Sequence, residues 1–147
     1  VEPADLSGSL RGRHNLYNKI EEMLIKDKRR VLISTTEGEF IERVKRFKLL
    51  FEKLKNKKGY AKILTQINTK TIKTSKKIQK TIHVENTTNK ARYCIVDGKE
   101  IIFMVLSDSE VHPAYDVGLW VNTTLALDMI NLHKNIHHNP YKYLNIS

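Results

Sequence analysis

The apolar residues of the chain switch between two spacings, and the switches mark out its elements. Leu16, Ile20, Met23 and Leu24 fall at i, i+4, i+7 and i+8. That is one stripe along an amphipathic helix over residues 13–26. Residues 27–30 (DKRR) end it, and residues 31–36 (VLISTT) read as a short buried strand. Phe40, Val44, Phe47, Phe51 and Leu54 repeat every three or four residues and predict the clearest helix, over residues 39–57. Glu37 and Glu39 lie at its start and Lys55, Lys57 and Lys58 at its end, as the helix macrodipole favours. Gly59 suits a left-handed cap. A second strand follows over residues 60–67. The order helix, strand, helix, strand favours a parallel pair joined by a right-handed crossover.

Beyond residue 68 the pattern weakens. Ile72, Ile78 and Ile82 outline a Lys-rich helix over residues 69–82, with few apolar positions to bury. His83-Val84 opens a short strand, and residues 85–89 are polar and turn-like. The runs 93–96 and 101–106 are two strands around Asp97-Gly98, a hairpin signal because Gly supplies the positive φ that the turn needs. Residues 107–114 read as a loop and 116–121 as a last strand with the only Trp. Asn122-Thr123 can cap a final helix reaching residues 133–136, with Leu125, Met129, Leu132 and Ile136 as its stripe. Residues 1–12 read as a linker from a preceding domain, 13–136 as one α/β domain, and 137–147 as a tail. The expected sheet is mixed and largely parallel, flanked by helices.

Composition adds a compartment and a class of partner. No apolar run approaches the roughly 18 residues of a membrane span, and the N-terminus lacks a signal-peptide layout. The single Cys94 sits in an apolar run, where a buried structural thiol is expected. These features point to the cytoplasm. The net charge is +10, from 26 basic and 16 acidic residues. The excess is concentrated: residues 43–58 hold Arg43, Lys45, Arg46, Lys48, Lys53, Lys55, Lys57 and Lys58 against Glu52 alone, and residues 70–80 hold five Lys and no acid. Solvated helix faces and a nucleic-acid surface are both open readings. Aromatic residues are scarce in both stretches, so a stacking platform for single strands is not expected.

Most catalytic signatures are missing. The six His residues form no HExxH pair and no Cys/His set with zinc spacing, and His133 and His137, four apart, have no third ligand nearby. There is no P-loop, no GxGxxG and no GxSxG elbow. No metal and no cofactor is expected. One spacing stands out, in Lys90-Ala91-Arg92-Tyr93-Cys94-Ile95-Val96-Asp97-Gly98. It resembles the H-x-K-x(4)-D motif with following Gly of the phospholipase D superfamily. In that family the His is the nucleophile, the Lys grips phosphate and the Asp supports the His. Here Lys90 stands at the His position, Arg92 at the Lys position, and Asp97 and Gly98 match. A protonated Lys has no lone pair and cannot replace imidazole as a nucleophile. Gly118-Leu119-Trp120-Val121-Asn122-Thr123 loosely matches the family's downstream Gly-x-Asn element.

A broader resemblance runs from about Leu6 to Ile136. Its segments are VLIST at 31–35, KILTQI at 62–67, ARYCIVDGKEIIFMV at 91–105 and HPAYDVGLWVNTTLA at 112–126. Together they are similar to the phospholipase-D-like domain that follows the winged helix in archaeal TrmB-type transcriptional regulators. That resemblance implies a fold like one phospholipase-D-type half. It also implies a non-catalytic domain that senses a small-molecule effector, forms a homodimer, or both. DNA would be bound through an upstream winged helix, with no role at a membrane. A divergent phosphodiesterase or nuclease is the alternative, as is direct binding of nucleic acid by the Lys-rich helices.

The candidate ligand or anion residues follow. Lys90 and Arg92 alternate with Ala91 and are expected on one strand face, as a solvated strand start or an anion-binding pair. Asp97 is a turn residue or a remnant of a phosphate site orienting them. Ser34, Thr35 and Thr65 end two predicted parallel strands, where open α/β sheets bind ligands. His112 and Asp116 can pair, approach the same pocket, or belong to a structural loop. Asn122 is an N-cap or part of the Gly-x-Asn element, and Trp120 a core or dimer-interface residue or a stacking wall for a sugar or base.

Overall fold

Seven strands form one sheet in the order β1-β7-β6-β5-β2-β3-β4. They are β1 (Ser7–Arg11), β2 (Arg30–Ser34), β3 (Tyr60–Thr65), β4 (His83–Asn86), β5 (Arg92–Val96), β6 (Glu100–Met104) and β7 (Val117–Asn122). The helices are α1 (Arg13–Ile25), α2 (Glu37–Asn56) and α3 (Ile72–Ile78), with a short 3-10 turn at Pro113–Tyr115. The structure is a computed structural model and describes residues 7–25 and 30–122. The expected final helix and tail, with Leu125 to His138, lie outside the described residues.

The fold is α/β with a mixed sheet, as the periodicity predicts. The β2-α2-β3-α3-β4 run supplies the two parallel pairings. The expectation of a largely parallel sheet is corrected: β5 on β2, β6 on β5, β7 on β6 and β1 on β7 are all antiparallel. The reason lies in the links. Residues 97–99 are too short for a crossover, and residues 105–116 hold only the 3-10 turn and no crossover helix, so β6 and β7 return antiparallel beside their predecessors. At the first link, Asp97 and Gly98 both take positive φ (55° and 68°), the mark of a primed hairpin turn.

The segment expected as a linker contributes β1, an edge strand on β7. It shows no alternation, because Leu10 is its one apolar residue and the others are exposed. The helix expected over residues 69–82 shortens to α3. Gly59 does not take the left-handed position after α2; Lys58 does, at φ 59°. The Gly59 amide donates to the Leu54 carbonyl and the Lys58 amide to that of Lys55, the two bonds of a Schellman cap.

The helices cover one sheet face. Beneath them lie Val31, Ile33, Ala61, Ile63, Cys94, Val96 and Ile102, against Leu16, Ile20, Met23, Phe40, Phe47 and Phe51. The alternate residues Leu32, Tyr93, Ile95 and Phe103 on the other face are half-buried. Gly118 of β7 lies against α1: a Cβ there would stand 2.3 Å from Leu16 Cδ2. Among the described residues no helix is long and apolar enough to cross a membrane.

Candidate functional site

Arg92 opens β5 with its side chain on the helix-covered face, and is 3% exposed. Its guanidinium grips Asp116, the residue before β7, through Nη1 to Oδ1 (3.0 Å) and Oδ2 (2.9 Å) and through Nη2 to Oδ2 (2.7 Å). Asp116 is fully buried. It also accepts from Arg13 Nε at 2.9 Å and, through Oδ1, from the Val117 amide at 3.1 Å.

A second carboxylate joins the same arginines. Glu39, in the first turn of α2, is buried. Its oxygens lie 3.2 Å from Arg13 Nε, 3.3 Å from Arg43 Nη2 and 3.6 Å from Arg92 Nε. The Arg13 N–H points to Asp116, so its approach to Glu39 is an ion pair without a hydrogen bond. Arg43 is 1% exposed and lies 4.9 Å over the Tyr17 ring. Its Nε and Nη1 have no hydrogen-bond partner among the described residues. Three guanidinium groups and two carboxylates from α1, α2, β5 and the β7 entry thus share one interior site. Burial disfavours the charge of Arg13, but Asp116 and Glu39 outweigh it and hold the group above its ordinary range. Burial raises Tyr17 above the usual phenol range, with Arg43 opposing.

The loop over residues 105–116 adds one more carboxylate at the start of α2. Thr36 Oγ1 donates to Asp108 Oδ2 at 2.6 Å. A Cβ on Gly38 would lie 3.1 Å from that same oxygen, so the carboxylate sits on the first turn, where the helix dipole favours a negative charge. A deeper pair closes the far end of the sheet: Trp120 Nε1 donates to the buried Glu100 at 2.9 Å, and Lys19 Nζ stands 3.9 Å from the Trp120 ring centre.

The predicted residues do not meet as one site. Lys90 is exposed and lies before β5, so it does not join Arg92. Asp97 is at the opposite end of β5, about 16 Å from Arg92 at the rise of an extended strand. There its Oδ1 accepts from the Arg30 amide at 2.8 Å, and its own amide donates to the Arg30 carbonyl. It pins the turn to β2 and orients neither basic residue. His112 does not pair with Asp116: its Nδ1 accepts from the Ala114 amide at 3.1 Å and caps the 3-10 turn. Ser34, Thr35 and Thr65 do gather at the carboxyl ends of β2 and β3. All three are closed to solvent. Ser34 Oγ donates to the Ala91 carbonyl at 2.7 Å, and the Thr35 and Thr65 hydroxyls have no partner among the described residues. Asn122 ends β7 opposite Glu100 and is exposed. The helix it was expected to cap lies outside the described residues. Cys94 is buried, as expected, and burial pushes its thiol up to about 12.

Sequence reasoning placed Arg92 and Asp116 among the candidates and missed Arg13, Glu39, Arg43 and Asp108. One signal was available. Glu39 and Arg43 are four apart and flank Phe40, Val44 and Phe47, inside the arc that α2 buries. Charges on an apolar stripe are paired when buried. The further partners of Glu39, Arg13 and Arg92, lie 26 and 53 residues away in sequence and cannot be read from periodicity. Among the described residues no group of His, Cys, Asp and Glu is arranged to hold a metal ion. What the cluster can do is fix α1, α2, β5 and the β7 entry to one another. The carboxylate of Asp116 occupies the Arg92 fork as a phosphate oxygen pair would.

No family model matches the sequence, and no curated protein does. Solved structures are similar. One is TrmBL2, an archaeal chromatin protein, with a TM-score of 0.60 at 18% identity over 95% of this chain and 54% of that one. A second is NucT from Helicobacter pylori, with 0.61 at 11% identity over 90% of this chain and 95% of that one. A third is the phospholipase D family member Nuc from Salmonella typhimurium, with 0.61 at 10% identity over 86% and 91%. The chain spans about half the length of TrmBL2. At these identities the likeness is one of fold, and the fold is phospholipase-D-like.

Proposed function

We propose that the chain is a non-catalytic regulatory domain on a phospholipase-D-like frame. On this reading it senses a small-molecule effector and forms a homodimer within a TrmB-type transcription regulator, which meets DNA through a winged helix upstream. The supporting observation is the state of Arg92. A residue that grips phosphate needs an open side, and both Arg92 Nη atoms are held by Asp116 within 3.0 Å while its Nε, without a hydrogen bond among the described residues, faces the buried Glu39 at 3.6 Å. At the nucleophile position of the motif stands Lys90, whose ammonium cannot attack phosphorus. TrmBL2 is described as an archaeal chromatin protein with a novel mode of DNA binding, and its fold likeness supports a DNA-associated setting.

The purified chain is expected to hydrolyse bis-p-nitrophenyl phosphate no faster than buffer, and to sediment as a dimer. The similarity to NucT and Nuc favours a second reading, a divergent phosphodiesterase. Hydrolysis that copurifies with the chain and disappears in Lys90→Ala establishes the second reading and ends the first. Lys90 is exposed, so loss of fold would not explain that result. Sedimentation as a monomer alone at high concentration removes the dimer from the proposal.

A further inference from the structure

Between Arg43 and Lys80 the chain holds fourteen basic residues and a single acid, Glu52, while the remainder is acidic on balance. The fold sorts these charges by type. Arg43 turns into the interior, and Arg46 reaches sideways to Asn18 (2.7 Å) and Glu21 (3.0 Å) of α1. The lysines go outward: Lys45, Lys48, Lys53, Lys70, Lys73, Lys76, Lys77 and Lys80 are all exposed. None of them forms an ion pair among the described residues.

The structure joins two runs that the sequence keeps apart. α2 and α3 each link neighbouring parallel strands, β2 to β3 and β3 to β4, so they lie side by side and run the same way. The Lys55 amine reaches the Lys80 carbonyl across the pair. Seven residues back on each side are Lys48 of α2 and Lys73 of α3. The outward sides of α2 and α3 are therefore one basic face, extending about 10 Å along the axis for seven residues at 1.5 Å each.

We infer that this face binds the phosphate backbone of duplex nucleic acid without reading sequence. Duplex DNA carries one negative charge per about 1.7 Å of axis. Lysine amines on flexible stems neutralise such an array as point charges, and no bidentate arginine fork faces outward for base recognition. A single strand fits poorly, because the face carries no aromatic residue on which bases could stack. An anionic membrane fits poorly too, because Leu49 is its one strongly exposed apolar residue, too little to enter a bilayer. The inference does not depend on the regulatory reading, since an enzyme or a sensor could carry the same face.

The test is fluorescence anisotropy of a labelled random 30-base-pair duplex with the whole chain, over a range of KCl concentrations. Binding is expected at 50 mM salt, with log K falling against log salt at a slope of roughly −4. Lys48→Glu with Lys73→Glu should weaken binding at least about tenfold and flatten the slope by about two. Lys48→Gln with Lys73→Gln, which only deletes charge, should weaken it less and in the same direction. Arg11→Glu with Lys99→Glu makes the same charge change at exposed positions away from α2 and α3, and should stay within about twofold. Unchanged circular dichroism excludes unfolding as the cause. No binding at 50 mM salt overturns the inference. So does an equal loss in the Arg11/Lys99 pair, which would make net charge the only cause. Equal affinity for a single strand, or for phosphatidylserine vesicles, removes the duplex as the partner.

Discussion

Two regions of this protein are rich in positive charge, and the fold treats them in opposite ways. In the interior, Arg13, Arg43 and Arg92 converge on Glu39 and Asp116 with little or no exposure to water. On the outside, the exposed lysines of α2 and α3 form a face whose members Lys45, Lys48, Lys53, Lys73, Lys76 and Lys77 make no ion pair among the described residues. Among the described residues, no lysine is buried, while Arg43 and Arg92 both are. A guanidinium is planar, weakly hydrated and able to satisfy a carboxylate bidentately. An ammonium is a compact charge that holds its water. The difference teaches that net charge alone says little about binding. The interior cluster is spent on its own anions, and only the outer face has charge to offer a partner.

The strongest way to break this contrast is to remove an interior anion. Asp116→Ala leaves Arg92 buried without its fork partner, and should cost about 3–5 kcal/mol of unfolding free energy in urea titrations. Arg92→Met with Asp116→Leu, which removes both charges, should cost far less. If the single and double variants are equally destabilised, the pair is not acting as a buried ion pair.

Alkaline pH tests how dry the interior is. The folded chain holds the Cys94 proton to about 12, against an ordinary value of 9.0. The unfolded chain loses that proton first, so stability present below pH 9 should fall as the pH rises toward 12, by up to about 1.4 kcal/mol per pH unit. Burial raises Tyr17 and Tyr93 as well, and adds the same sign above pH 10. In Cys94→Ala the decline between pH 9 and 10 should flatten. An unchanged decline assigns it to other groups.

The smallest effect belongs to the outer face. Lys48→Gln, Lys73→Gln and Lys76→Gln together should shift stability by no more than about 0.5 kcal/mol, because exposed charges away from caps and core contribute little. A large loss in thermal unfolding would mean that these lysines hold the fold together, and the contrast with the interior would collapse.

Much of the frame was legible in the chain. The stripes through Leu16 and Ile20 and through Phe40, Val44 and Phe47 determined α1 and α2, because a helix that buries one side must repeat every three to four residues. Asp97-Gly98 determined the hairpin, because few residues tolerate the left-handed turn. The β1 strand was not legible, since an exposed edge strand needs backbone partners and no apolar alternation. The hydrophobic pattern likewise could not say which way β5 pairs on β2.

The candidate site divides along the same line. By itself, the sequence determined that the motif position Lys90 carries no imidazole and that Arg92 and Asp116 are charged residues beside strands. Only the tertiary structure decided that Arg92 and Asp116 bind each other and that Asp97 sits at the far end of the strand. It alone made one face of two lysine runs. Local spacing fixes what a residue can do within its own element. Ion pairs across 24 or 103 residues, such as Arg92–Asp116 and Arg13–Asp116, exist only once the sheet order brings their strands and helices together.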